Sequence, residues 1–170
     1  MREEYEIFCR QYYDRIYRFL FKLCSDRELA EDLTQETFYR AFLSLHRFRG
    51  ESDPFTYVAA IAKHTYCKYI RKSKRRPDNL SLGDMADYLE DSEESDPLYL
   101  CEKASEALAV RSAVDKLPEK YKDVVLYRIY AGMSFAQTAA ALNITENSAK
   151  VIFYRAKKKL TEELRNGINM

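Results

Sequence analysis

Between Lys63 and Arg76 seven cations (Lys63, Lys68, Arg71, Lys72, Lys74, Arg75 and Arg76) occur without an acid, and Tyr66 and Tyr69 are interleaved with them. Cations at that density neutralise phosphates, and rings among them stack on unpaired bases. A second acid-free run, Ser148 to Leu160, holds Lys150, Arg155, Lys157, Lys158 and Lys159. Read as a helix, its Ser148, Lys150, Tyr154, Arg155 and Lys158 offer a face on which some side chains reach base edges and others grip phosphates. The blander reading of the triple lysine is a solvated helix end that complements the macrodipole. No Gly-rich phosphate loop, metal-spaced carboxylate cluster or nucleophile–base pair stands out, so no catalytic residue and no cofactor is assigned. His64 and Cys67 stand three apart, but no second His/Cys pair completes a zinc site, and Cys9, Cys24, Cys67 and Cys101 form no C-x-x-C pair. No metal is expected.

The charge of the 170-residue chain hides this pattern, because 28 Lys and Arg against 27 Asp and Glu give +1. By segment the balance is +7 over residues 63–76, −9 over residues 78–106 and +5 over residues 148–160. The acidic stretch carries Gly83, the run Glu90 to Asp96 and Pro97, with little periodic hydrophobicity, and is expected to be a flexible acidic linker. Four Gly and four Pro are too few for a turn-dense β-sandwich or barrel. The longest apolar run, Tyr57 to Ala62, is far short of a membrane span, so no membrane insertion is expected and the chain is read as cytoplasmic.

The elements that must position the two basic segments are helical by period. Tyr5, Phe8, Tyr12, Ile16, Phe19 and Leu23 form one apolar stripe ending near Cys24. Ser25 with Glu28 is expected to open a second helix as a capping box, with Ala30, Leu33, Ala41 and Leu45 inward and Asp32, Gln35, Glu36, Tyr39 and Arg40 on another face. The third runs from about Pro54 to Ser73, with Val58, Ala62, Tyr66 and Tyr69 buried and Tyr57, Ile61, His64, Lys68, Arg71, Lys72 and Arg75 along a different stripe. Downstream, Val110, Val114 and Leu117 mark a helix. Pro118 opens the next, with Tyr121, Val124, Val125 and Ile129 inward and Gly132 past its end. Ser134 and Gln137 form a capping box for a short helix reaching Leu142, and Thr145 caps a long basic one: a helix-turn-helix.

Taken together, Tyr12 to Phe19, the segment Asp32-Leu33-Thr34-Gln35-Glu36-Thr37-Phe38-Tyr39-Arg40-Ala41-Phe42 and Phe48-Arg49-Gly50-Glu51-Ser52 resemble the second conserved region of bacterial sigma factors of the extracytoplasmic-function group. Leu117 to Tyr121 and the stretch Gly132 to Leu160 resemble their fourth region. The resemblance implies an all-α chain of two small helical domains: residues 1–76, an acidic linker over 77–104, and residues 105–170. It implies a subunit that directs RNA polymerase to promoters. The polymerase contact would be Asp32, Gln35, Glu36, Phe38 and Arg40. Phe48, Arg49, Phe55, Tyr57, Lys63, His64, Lys68, Arg71 and Lys72 would recognise and hold the melted minus-ten element. Ser148, Lys150, Tyr154, Arg155, Lys157 and Lys158 would bind the minus-thirty-five duplex. Expected partners are core RNA polymerase, promoter DNA as duplex and as melted non-template strand, and an anti-sigma protein of the kind that wedges between or wraps the two domains of many relatives.

The chain departs from the usual pattern in four places. Tyr57 stands where a Trp is usual, Lys68 where an Asp is common, and Pro54 enters the loop before the melting helix. The usual G-T-V-K-S-R of the last helix reads Asn147-Ser148-Ala149-Lys150-Val151-Ile152. Two other functions compete with the leading one: a sigma-like decoy that binds an anti-sigma protein without touching DNA, and a helix-turn-helix regulator that acts without polymerase. The retained cations count against the decoy, and the D-L-x-Q-E-x-F segment counts against the plain regulator.

Overall fold

A computed structural model of the chain describes residues 2–48, 50, 52–74 and 97–168, with only the backbone at 2, 97–104 and 168. Among these there are seven α-helices and no strand: α1 (Arg2–Cys24), α2 (Arg27–Ser44), α3 (Pro54–Lys74), α4 (Pro97–Asp115), α5 (Glu119–Val125), α6 (Phe135–Leu142) and α7 (Glu146–Ile168). A 3₁₀ turn, Leu45–Arg47, follows α2, and a π-helical turn, Leu126–Tyr130, continues α5. The tether's residues 77–96 lie outside the described part.

α1, α2 and α3 pack as a three-helix bundle around Ile16, Phe19, Leu20, Ala30, Phe55 and Val58, all at most 1% exposed. α2 buries Thr34 and Thr37 as well, which periodicity did not expect. Each hydroxyl donates to the carbonyl four residues back, Ala30 and Leu33, at 2.6 Å, so neither is left unpaired in the bundle. α3 starts where Pro54 can occupy a first turn, and Asp53 caps it by accepting from the Thr56 amide at 3.2 Å.

The second half packs α4, α5 and α6 on α7, with Val124, Met133, Ala149 and Ala156 fully buried. The punctuation expected from sequence is present. Gly132 takes φ +65, Ser134 and Gln137 form the capping box, Asn143 ends α6 in the left-handed region, and the Thr145 hydroxyl accepts from the Ser148 amide at 3.1 Å.

Three expectations, on Ser25, Ile129 and Tyr69, need correction. Ser25 does not cap α2; it adopts φ +54 while its amide bonds the Phe21 carbonyl, closing α1, so Asp26 becomes the cap and accepts from the Leu29 amide at 3.0 Å. Ile129 points out (50% exposed) and Tyr127 points in (3%). In the π turn the Ala131 amide bonds the Leu126 carbonyl five residues back, which shifts the helical register by about a residue. Tyr69 is 39% exposed because α3 runs past the helices that cover its first turns. Val110 is 41% exposed, as residues 105–110 of α4 lie open on all sides. α4 itself reaches back to Pro97, inside the stretch read as the connector.

The two halves also touch. Phe19 and Tyr127 rings lie 6.5 Å apart, Tyr127 joins the buried cluster of the first bundle, and α6 packs on α3. The Arg111 guanidinium donates to the Leu23 carbonyl and the Ser25 hydroxyl, which gives the αL turn between α1 and α2 a partner from the other half.

Candidate nucleic-acid interface

The six residues expected to meet the upstream duplex all stand on the open side of α7. Ser148, Lys150, Tyr154, Arg155, Lys157 and Lys158 are exposed, Tyr154 to 70%, while Ala149, Ile152 and Ala156 hold the opposite side in the core. The capped turn from Leu142 to Thr145 fixes the angle between α6 and α7, and Arg128 braces it. Its guanidinium lies 4.3 Å from the centre of Phe135 and donates to the Met133 carbonyl. Nothing in local sequence marks Arg128 for that task, because its partners are the Met133 carbonyl before α6, Phe135 on α6 and Phe153 on α7. Lys150 pairs with Glu146 one turn back at 2.9 Å, and both side chains are half exposed, so this pair yields readily to phosphate. Two outward residues were noted from sequence only as departures from the usual motif and were given no contact: Asn147, and Val151 at 47% exposure. Ile152, which stands where that motif usually has Arg, is a core residue at 6%.

The residues expected to hold melted strand are less uniform. His64, Lys68, Arg71 and Lys72 are exposed along α3, and Arg49 lies outside the described residues. Tyr57 is half-buried; its ring centre is 4.8 Å from that of Phe48, and its hydroxyl bonds the Ser44 hydroxyl at 2.6 Å. Phe48 and Tyr57 thus form an aromatic ledge at the start of α3. Phe55 is corrected from binding to core: it is 1% exposed, between Tyr12 at 6.0 Å and the Arg15 guanidinium at 3.5 Å. Lys63 is also withdrawn. Its ammonium sits 2.5 Å from the Asp123 carboxylate and 5.5 Å from the Tyr127 ring centre, with side-chain exposures of 15% and 21% for the ion pair. Beside it, burial pushes the Cys67 thiol and the Tyr127 hydroxyl up from their ordinary pKa values. Burial likewise pushes Tyr66, whose hydroxyl donates to the Leu23 carbonyl at 3.0 Å, up to about 12.

On α2, Asp32 and Gln35 are exposed and Glu36 accepts from the Arg40 guanidinium at 2.6 Å, one turn on. Phe38 does not share this face; at 6% exposure it belongs to the core, stacked on Tyr13. Sequence reasoning put Tyr39 on this face but missed Phe42 and Leu43, which with it form an apolar shoulder 52–59% exposed. Tyr39 and Phe42 border a groove of about 860 Å³ that Tyr5, Leu45 and His46 complete. Runs of exposed apolar residues on a polar helix were the available signal. Among the described residues no three His, Cys, Asp or Glu side chains gather as a metal site, and no helix is long and apolar enough to cross a membrane.

Comparison with known proteins places both halves. The family described as Sigma-70 region 2 matches residues 8–76, and Sigma-70, region 4 matches residues 107–160. The ECF RNA polymerase sigma factor SigM of Bacillus subtilis is 26% identical over 160 residues, covering 94% of this chain and 94% of its own. The sigma factor RpoE of Bartonella quintana, solved with the anti-sigma factor NepR, has a TM-score of 0.63 at 18% identity, covering 96% of this chain and 98% of that one. CnrH, solved with the cytosolic domain of CnrY, has a TM-score of 0.65 at 15% identity over 98% of this chain and 90% of its own. At those identities the two solved structures speak for the fold.

Proposed function

The chain belongs to the sigma-70 family as a sigma factor of the extracytoplasmic-function group, a promoter-specificity subunit of bacterial RNA polymerase, and from that premise we propose how its parts divide the work. Residues 1–76 form the domain that docks on core polymerase and melts the minus-ten element, residues 77–104 connect, and residues 105–170 form the domain that reads the minus-thirty-five element. The observation that carries this division is the unobstructed face of α7 behind a capped helix-turn-helix.

Asp32, Gln35 and the Glu36–Arg40 pair make the polymerase contact, with Tyr39 and Phe42 as its apolar neighbours. Phe48 and Tyr57 stack on bases that leave the duplex, where each stacked base contributes about 1–3 kcal/mol. His64, Lys68, Arg71 and Lys72 follow the strand backbone. Ser148, Lys150, Tyr154, Arg155, Lys157 and Lys158 bind the upstream duplex. The protein contributes binding and deformation of DNA, not a chemical step of its own, and works in the cytoplasm, where the polymerase is. An anti-sigma protein is a further proposed partner, as for the RpoE of Bartonella quintana.

The test is genome-wide run-off transcription with core polymerase and this chain. Defined promoters should fire, and Glu36→Lys should abolish polymerase binding while leaving duplex binding by the second half. Failure to direct initiation at any promoter, with binding to an inhibitor protein retained, would favour the decoy. Duplex binding and regulation indifferent to Glu36→Lys would favour a regulator that acts without polymerase.

A further inference from the structure

The open face of α7 has an unexpected centre. Residues 147, 151, 154 and 158 follow one another at steps of four, three and four, so Asn147, Val151, Tyr154 and Lys158 form a single outward line opposite the buried Ala149, Ile152 and Ala156. Val151, 47% exposed, covers no core and lies in the first half of the helix, the part that a helix-turn-helix presents to base edges. An apolar side chain set among polar ones on that line has one complement in the major groove, the C5-methyl of thymine. We propose that Val151 is a specificity-determining residue that reads a thymine methyl in the upstream element. The inference rests on the role proposed for α7.

In a promoter recovered by run-off transcription, each thymine of the upstream element is replaced singly by deoxyuridine, which removes only the methyl. One replacement should lower holoenzyme occupancy about fourfold, the effect of burying roughly one methyl group. Val151→Ser should cost a similar factor on the thymine duplex and make thymine and deoxyuridine equivalent there. The inference falls if no thymine is sensitive to loss of its methyl, or if the sensitivity survives in Val151→Ser. If occupancy ignores the upstream element altogether, the proposed role of α7 falls first and takes the inference with it.

Discussion

α3 and α7 are nearly equal in length, both basic, and both amphipathic, yet they stand in opposite conditions. On α7 every cation assigned to DNA is exposed, and the helix spends its opposite side on Ala149, Ile152 and Ala156. On α3 Lys63 is held by Asp123, Phe55 is in the core, and Tyr57 is tied to Ser44. A cationic helix is a nucleic-acid face only as far as its neighbours leave it uncovered. Under the proposed roles, the aromatic and cationic residues of α3 serve both a bundle and a strand, whereas α7 divides those tasks cleanly between its two sides.

The sharpest way to break this comparison is Phe55→Ala. As a core residue, Phe55 should cost about 3–5 kcal/mol of stability, read by chemical denaturation. An unchanged unfolding midpoint with loss of promoter opening alone would return it to the strand-binding face and make α3 resemble α7. The next largest effects belong to α7. Arg155→Ala should cost about 1–3 kcal/mol on the best promoter and relax preference at one position, while Lys158→Ala should weaken all sequences alike and reduce the salt slope by about one. Equal losses across promoters for both would erase the division between reading and gripping on that helix. The smallest effect tests the turn that presents α7. Ser134→Ala removes the side-chain acceptor for the Gln137 amide and should lower stability by about 1 kcal/mol in thermal unfolding, leaving the ranking of promoters unchanged.

The helices and the turns between them were legible in the chain because their signals are local. The stripe from Tyr5 to Leu23, Pro54 at a first turn, Gly132 at a positive φ and Ser134 with Gln137 all act within a few residues, and all stand where periodicity and capping put them. The Ser25 capping box failed for a related reason. Two local signals overlapped, and closing α1 took the residue that α2 was expected to use. Ile129 failed because a π turn breaks the 3.6-residue period on which the prediction rested.

What the sequence by itself determined was the all-α character, the outward face of α7, and the two conserved regions, because each depends on residue spacing along one element. The tertiary structure alone decided which members of a face are available. Phe38 and Phe55 went to the core, Lys63 went to a carboxylate 60 residues away, and Val151 was left uncovered on the outward side of α7. Those assignments depend on what packs across an element, and residue spacing within one helix carries no information about its neighbours.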